Sequence, residues 1–338
     1  ASGNPKRWIV HKGRLVTAPL GPRALLTTPL LSMRGKARFL RERGRDPAAA
    51  LDGSVAEFAE HRFGPEALNS LVDPMIRGIH AGDPATLSLR ACFPELPTLL
   101  EKHGSLLAAM KSRPTGPGLI IPRNGGMSAV VDALVAGLEG RVETGAPVLE
   151  IERQTQGFAV TCVNADGRHR MVAREVVVAT PAAAAARVLT DAAHGAAHAL
   201  ATQDSVTLTV LAHAWPRSAV AHPLDGFGYV TPSSGGLTHL GTSFSTTIGS
   251  AETPDGLVML RTMARGTPDD DDLLAEVAPL IGLGGEPAWT HTVRHGLGLP
   301  VYDLDQPTRA AAIRDALPPG LSVIGQALDG VGVPSSLA

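Results

Sequence analysis

The chain has 338 residues with a formal net charge of −2, 44% hydrophobic and 18% charged residues, and a mean hydropathy of +0.09. This composition is typical of a folded globular protein of about two domains, and it gives no overall electrostatic argument for a nucleic-acid partner. The two cysteines lack CxxC spacing, the histidines are scattered, and no GxSxG or phosphate-loop motif is present. A disulfide framework, a metal site, and the hydrolase and nucleotide-triphosphatase classes are therefore not predicted, and no apolar run reaches the roughly 18 residues of a membrane span.

The amino-terminal part combines a hairpin pattern with a basic, apolar stretch. Two hydrophobic runs, 8–10 and 14–16, flank a turn at 11–13 whose glycine suits a positive φ. The basic, apolar stretch from residue 22 to about residue 45 can lie on a membrane surface, although the solvated face of a packed helix is the simpler interpretation.

A helical region is predicted from residue 54 to about residue 111. Ser54 and Glu57 have the spacing of a capping box, which predicts a helix start, and Gly64–Pro65 ends that helix and begins another. The glycines and prolines of 113–118 predict a linker, because they cannot continue a helix.

After the linker the pattern changes to short strands. A hydrophobic run at 119–121 precedes a helix over 127–138, strands at 148–151, 158–163 and 175–179, and a helix from 182. This order favours the carboxyl half of a dinucleotide-binding α/β domain. Alternating strands at 206–211, 227–230, 239–244 and 257–263 predict an antiparallel sheet. The acidic run 269–272 predicts the start of a helix over 273–281, since acidic groups favour a helix amino terminus.

The segment Asp73–Pro94 reads DPMIRGIHAGDPATLSLRACFP, in which Gly78 interrupts a helical pattern and Gly82–Asp83–Pro84 forces a turn. It resembles a signature of the protoporphyrinogen oxidases, flavin enzymes of heme biosynthesis in the flavin amine oxidase superfamily, and 101–106 resembles them too. The resemblance implies an α/β protein with a partial FAD-binding Rossmann-like domain, an antiparallel-sheet substrate domain and an α-helical insertion domain. The expected parts are substrate-domain strands at 1–19, a helical, membrane-associating domain at 20–112, FAD-binding parts at 118–182 and 286–338, and the substrate-binding domain at 183–285.

The same resemblance implies a cofactor site at the end of the chain. A hydrophobic strand at 321–325 runs into the segment DGVGVP, and a strand entering a glycine-rich turn permits close backbone approach to a ligand. A similar segment contacts the flavin in the family, and GAPV at 145–148 resembles its adenine-side strand. The implied FAD-binding residues are Val148, Gly325, Gln326, Gly330, Val331, Gly332 and Val333. Relatives usually carry a different small or amide residue at the position of Gln326.

Substrate residues are implied in the same way. Arg7, in Pro5–Trp8, resembles the family arginine that pairs with a tetrapyrrole propionate, and a guanidinium fork suits a carboxylate. The segment 224–234 resembles the strand and turn along one face of the porphyrinogen, which implies roles for Gly228, Val230 and Thr231, and Met263 falls on the opposite side. No acid or base catalyst is expected, because hydride transfer to FAD needs orientation by the protein rather than a nucleophile.

The implied activity is oxidation of protoporphyrinogen IX to protoporphyrin IX with O2 as the final acceptor. A coproporphyrinogen III oxidase and a non-catalytic tetrapyrrole-binding module remain alternatives. The implied location is cytoplasmic or peripheral on the inner face of the cell membrane, with ferrochelatase and a second copy of the chain as candidate partners. Because nothing before Arg7 matches the family's GxGxxG turn and acidic ribose-binding residue, we expect a fragment or a degenerate paralogue that binds FAD weakly.

Overall fold

The computed structural model describes residues 6–46, 48–112, 126–249 and 253–336, and the chain divides into two compact units. Unit 1 comprises residues 1–127 and 206–298, and unit 2 comprises residues 128–205 and 299–338. The predicted linker at 113–118 and the hydrophobic run at 119–121 lie outside the described residues.

The first half of unit 1 is a hairpin followed by short helices. Its elements are β1 (Lys6–His11), β2 (Arg14–Thr17), α1 (Pro22–Thr27), α2 (Met33–Leu40), α3 (Val55–Phe63), α4 (Pro65–Ala67), α5 (Asp73–His80), α6 (Leu89–Cys92), α7 (Leu96–His103) and α8 (Leu106–Ser112). A 3-10 turn, Arg41–Gly44, follows α2, and a π-helical turn, Leu68–Val72, joins α4 to α5. The predicted hairpin is confirmed.

Local signals in the sequence set the start of α3 and α4. The Ser54 hydroxyl accepts a hydrogen bond from the Glu57 amide at 3.1 Å, and the Glu57 carboxylate accepts one from the Ser54 amide at 2.8 Å, so the predicted capping box is confirmed. Gly64 has φ +91°, and Pro65 opens α4. Within the described residues, no helix has the length and apolar character needed to cross a bilayer.

The second half of unit 1 is built around a sheet. Its elements are β7 (Ser205–Pro216), β8 (Gly226–Val230), β9 (His239–Ser243), α12 (Ser245–Ile248), β10 (Leu257–Arg265), α13 (Asp270–Ile281) and β11 (Trp289–Pro300). The strand order is β11-β7-β10-β9-β8-β1-β2. The predicted antiparallel pairing is confirmed for β7–β10, β9–β10 and β8–β9, whereas β1 and β8 run parallel. Asp269 caps α13, as the acidic run predicted.

One face of this sheet forms a core cluster of unit 1. Trp8, Tyr229, Phe244 and Leu260 pack there against Val277 of α13, and all five are buried. Since successive strand residues point to opposite faces, the positions between them define a second face.

Unit 2 contains two small sheets and several helices. Its elements are α9 (Ser128–Ala136), β3 (Val148–Arg153), β4 (Phe158–Asn164), β5 (Gly167–Ala173), β6 (Val176–Val178), α10 (Ala182–Val188), α11 (His194–Ala201), α14 (Gln306–Ala316), β12 (Leu321–Val323) and α15 (Val333–Ser336). Strands β3, β4 and β5 form an antiparallel sheet, and β6 and β12 form a parallel pair. Phe158, Leu189, Leu200, Ile313 and Leu321 belong to the core of this unit.

Candidate functional site

Helix α5, the start of the singled-out segment, packs against the end of strand β8. A Cβ added to Gly78 would lie 2.7 Å from Cγ1 of Val230, so the glycine permits this close approach. The Arg77 Nε donates to the Thr231 carbonyl at 3.2 Å, and the buried Asp73 carboxylate accepts from the Ser233 amide at 2.7 Å. Three contacts therefore fix the strand that was predicted to line the substrate.

The sheet brings three of the predicted substrate residues to one face, so the expectation that Met263 lies on the opposite side from Val230 is wrong. Val230 and Met263 both pair with the Gly241 position of β9, and both side chains are half-buried. Arg7 precedes the buried Trp8 on β1, so its exposed guanidinium belongs to the same face as Val230. We call this surface, defined by Arg7, Val230 and Met263, the substrate face.

The structure places the side chain of Thr231 on the opposite, buried face. Its hydroxyl donates to the His239 carbonyl, and the side chain has no exposed surface. Thr231 contributes its carbonyl oxygen, which accepts from Arg77.

Gly228 lies at a bulge, and the structure gives a reason for a glycine there. It has φ +141°, and an added Cβ would lie 2.2 Å from the Thr242 carbonyl oxygen. The pairing of β1 with β8 skips Phe227, whose ring lies 5.4 Å from the Arg7 guanidinium carbon. The glycine therefore shapes the strand and places Phe227 under Arg7.

A buried chain of hydrogen bonds lies behind the substrate face. The Trp215 indole donates to Nδ1 of His213 at 2.7 Å, and Nε2 of His213 lies 2.9 Å from the Thr262 hydroxyl. Thr262 lies 2.9 Å from the Thr242 hydroxyl, which donates to the Tyr229 hydroxyl at 3.0 Å. This connects strands β7, β10, β9 and β8 through their side chains.

The chain of bonds continues to helix α13. The Tyr229 hydroxyl lies 3.1 Å from Nε2 of His239, whose Nδ1 lies 2.6 Å from the Glu276 carboxylate. The Trp215 indole can only donate and the Glu276 carboxylate can only accept, and a single direction of donation from Trp215 to Glu276 satisfies every bond between them. Both imidazoles are then neutral, with the proton of His213 on Nε2 and that of His239 on Nδ1. We call this the polar relay.

The pKa values agree with neutral imidazoles. Burial lowers the pKa of His213 to about 4. Burial also lowers the pKa of His239, against the opposing effect of Glu276. Partial burial would raise the pKa of Glu276, but hydrogen bonds from His239 and from the amide of Thr238 outweigh it, so this pKa falls.

The predicted cofactor residues of unit 2 gather at the turn after β12. Gly325 has φ +96° with open space where a Cβ would be, and its amide donates to the Asp329 carboxylate at 2.7 Å. The Gln326 carbonyl accepts from the Tyr302 hydroxyl at 2.6 Å. Gly330 has φ +117°. Val331 and Gly332 are half-buried, and Val333 opens α15 with its side chain 55% exposed.

Val148 lies at the start of β3, on a different sheet from this turn, and is 41% exposed. Val177 of β6 and Ile324 are also exposed, so the parallel strand pair presents apolar side chains outward. The glycine-shaped turn and these apolar groups suit the flat faces and the apolar dimethylbenzene part of a flavin ring system. The residues present therefore fit contacts to the ring of the cofactor.

Several residues of the site were not predicted from the sequence. Asp73 and Arg77 lie in the singled-out segment but were not assigned a role. Phe227 was predicted as a strand residue, as were four members of the polar relay: Tyr229, His239, Thr242 and Thr262. Glu276 was predicted as a helix residue, and His213 and Trp215 lay outside the predicted strands. The alternation of residues between the two faces of β8, β9 and β10 could have indicated these residues, because Tyr229, Thr242 and Thr262 lie on the same face of the sheet.

Comparisons with known proteins identify relatives of this chain. A family model described as flavin containing amine oxidoreductase matches residues 4–294. Coproporphyrinogen III oxidase of Bacillus subtilis is 27% identical over 351 residues, covering 96% of this chain and 74% of that protein. The chloroplastic protoporphyrinogen oxidase of rice, Oryza sativa subsp. japonica, is 27% identical over 76% of this chain, which spans 53% of that relative.

The fold is similar to that of solved structures. A structure from Exiguobacterium sp. 255-15, provisionally described as a protoporphyrinogen oxidase, has a TM-score of 0.80 at 21% identity and covers 99% of this chain and 78% of its own. The predicted fold class, a mixed α/β protein of the flavin amine oxidase type, is therefore confirmed.

Proposed function

Because the chain belongs to the flavin-containing amine oxidoreductase family, we propose that it oxidises a porphyrinogen to a porphyrin in heme biosynthesis, with FAD as hydride acceptor. Protoporphyrinogen IX and coproporphyrinogen III are both candidate substrates, since relatives that match the chain carry both names. The polypeptide is accordingly an FAD-dependent oxidoreductase whose unit 1 binds the substrate and whose unit 2 contacts the cofactor.

One observation carries this proposal. The family resemblance points both to the segment DPMIRGIHAGDP and to the strand that contains Val230, and α5 packs directly against Val230. Half-buried Val230 and Met263 offer apolar contact to a macrocycle, and the Arg7 guanidinium offers two parallel hydrogen bonds to a propionate.

When bound, FAD would supply the hydride acceptor for a saturated bridging carbon of the porphyrinogen, one proton would leave to solvent with each hydride, and O2 would be the final electron acceptor. The chain's own residues hold the macrocycle. Arg77 and Asp73 fix the backbone after β8, and the polar relay fixes the strands behind the substrate face. No titratable side chain has to exchange a proton with the substrate in this scheme.

The location and partners are finer parts of the proposal. Four arginines line a cavity of about 460 Å³: Arg34 and Arg38 of α2, Arg41 of the following turn, and Arg45 directly after that turn. None forms an ion pair with a described carboxylate, and Met33 beside them is 78% exposed. This basic and apolar patch supports a cytoplasmic protein held peripherally at an anionic membrane surface, where ferrochelatase and a second copy of the chain are the proposed partners.

A non-catalytic tetrapyrrole-binding module is the second candidate, because the substrate face lies entirely in unit 1. The test is to incubate the full-length gene product with FAD, remove free flavin, record the visible spectrum, and then follow porphyrin fluorescence after adding each porphyrinogen. Retained flavin absorbance and O2-dependent fluorescence from at least one porphyrinogen are expected of the full-length gene product, whereas this chain by itself is expected to retain little flavin. Porphyrin binding without retained flavin or turnover would contradict the oxidase and favour the binding module.

A further inference from the structure

A second arginine, Arg261, lies in register with Arg7 across the sheet. The pairing runs from Arg7 to Gly228, from Gly228 to Ser243, and from Ser243 to Arg261. These positions lie on β1, β8, β9 and β10, so three strand spacings of about 4.8 Å place the two arginine backbones roughly 14 Å apart.

Both arginines point to the substrate face. Arg261 precedes Thr262, which has no exposed surface and belongs to the polar relay on the opposite face. Alternation therefore puts Arg261 on the face of Met263, two positions further along β10, and its side chain is exposed. The positions between the two arginines carry only glycine and serine, so no large side chain separates them.

Neither guanidinium is neutralised within the part of the chain that the structure describes. No described carboxylate forms an ion pair with Arg7 or Arg261, whereas the neighbouring Lys6 pairs with Asp225 at 2.5 Å. Arg7 lies over the Phe227 ring, which leaves the edge of its fork free for an acceptor. Two unpaired, exposed forks on one face suit a ligand with carboxylates on two of its edges.

We propose that Arg261 is a second carboxylate anchor that makes the site selective for coproporphyrinogen III over protoporphyrinogen IX. This inference rests on the proposed function. Coproporphyrinogen has a propionate on each of its four rings, so it can present carboxylates to Arg7 and Arg261 at once. Protoporphyrinogen has two propionates on adjacent rings and vinyl groups at the other edge. At that edge Arg261 would have no carboxylate to bind.

The test is equilibrium binding of coproporphyrin III and protoporphyrin IX to the full chain, followed by porphyrin fluorescence, so it does not require turnover. Arg261→Gln is expected to weaken coproporphyrin III binding about tenfold and to change protoporphyrin IX binding less than about twofold. Arg7→Gln is expected to weaken both ligands. Arg261→Lys, which keeps the charge but loses the fork, is expected to fall between the wild type and Arg261→Gln.

Arg187→Gln is the matched control, because it removes one exposed charge from α10 of unit 2 and is expected to change neither affinity. Equal weakening of both porphyrins by Arg261→Gln, or no weakening of either, would overturn the assignment of Arg261 while leaving the proposed function intact. Failure of the wild-type chain to bind either porphyrin would overturn both.

Discussion

A Cβ added to Gly78 of α5 would lie only 2.7 Å from Cγ1 of Val230 on β8. A helix interior normally disfavours glycine, by about 1 kcal/mol relative to alanine. At this position the contact with β8 requires the smallest residue, because a helix backbone must approach the strand closely. The glycine that interrupts the helical pattern in the sequence is therefore a packing requirement.

Gly78→Ala is expected to destabilise the protein by about 1–3 kcal/mol through this clash, although helix propensity alone would favour alanine. Denaturant unfolding of the purified variant measures the change. The double variant Gly78→Ala with Val230→Ala is expected to recover part of the loss, because it removes the opposing methyl group. A single variant more stable than the wild type would show that α5 does not pack on Val230.

Tyr229→Phe is expected to cost about 1–3 kcal/mol, because it leaves the proton of the Thr242 hydroxyl without an acceptor and Nε2 of His239 without a donor. Denaturant unfolding again provides the measurement. Nitrogen NMR of His239 provides a second one, since the wild type should show the tautomer protonated on Nδ1. An Nε2-protonated His239 in the wild type would contradict the direction assigned to the polar relay.

Stability is expected to fall as the pH drops from about 6.5 to about 4. Burial lowers the pKa of His213 from 6.5 to about 4 in the folded state, so the unfolded chain takes up the proton first. The neutral ring contributes its full stabilising effect above pH 6.5. Between pH 6.5 and pH 4 the free energy of unfolding falls by about 3 kcal/mol. His213→Gln should make the dependence shallower in unfolding curves at pH 7.5 and 5. Equal losses of stability between pH 7.5 and pH 5 in the wild type and in His213→Gln would exclude His213 as a source of the pH dependence.

Glu42→Gln is expected to destabilise unit 1 by about 3–5 kcal/mol. Glu42 and Arg62 are fully buried 2.5 Å apart, and the Glu42 carboxylate also accepts from the Leu106 amide at the start of α8. Glu150→Gln, which removes an exposed ion pair with Arg168, is the control and should cost less than about 1 kcal/mol. Similar unfolding midpoints for the two variants would contradict a structural role for the buried pair.

The patch of Arg34, Arg38, Arg41 and Arg45 predicts binding to vesicles that contain phosphatidylglycerol and weak binding to phosphatidylcholine alone. Each arginine near an anionic surface contributes about 1 kcal/mol, so replacing all four by glutamine should abolish cosedimentation, as should high salt. Equal cosedimentation with phosphatidylglycerol and phosphatidylcholine vesicles would contradict the peripheral membrane proposal.

Local chemistry let the sequence determine many elements of the fold. The capping box at Ser54, the turn at Gly64–Pro65 and the acidic start of α13 were all predicted, because a cap or turn depends on residues within one or two turns of each other. The resemblance in Asp73–Pro94 indicated the family, which the comparisons confirm.

Strands β5 and β11 and helix α14 were not predicted. Strand β5 is polar because Arg168 and Arg170 form ion pairs with Glu150 and Glu152 of β3, which only pairing through β4 makes possible. Glycines interrupt the alternation of apolar and polar residues in β11. These elements depend on partners distant in sequence, so their own residues carry a weak local signal.

By itself, the sequence determined which residue types surround the candidate site and the family to which the chain belongs. Only the tertiary structure decided which side chains share a face: it placed Arg7 and Arg261 in one row, turned Thr231 to the buried side, and joined Trp215 to Glu276 through a single relay. The physical reason is that strand register and bulges, such as the one at Phe227, are set by contacts between segments far apart in the chain.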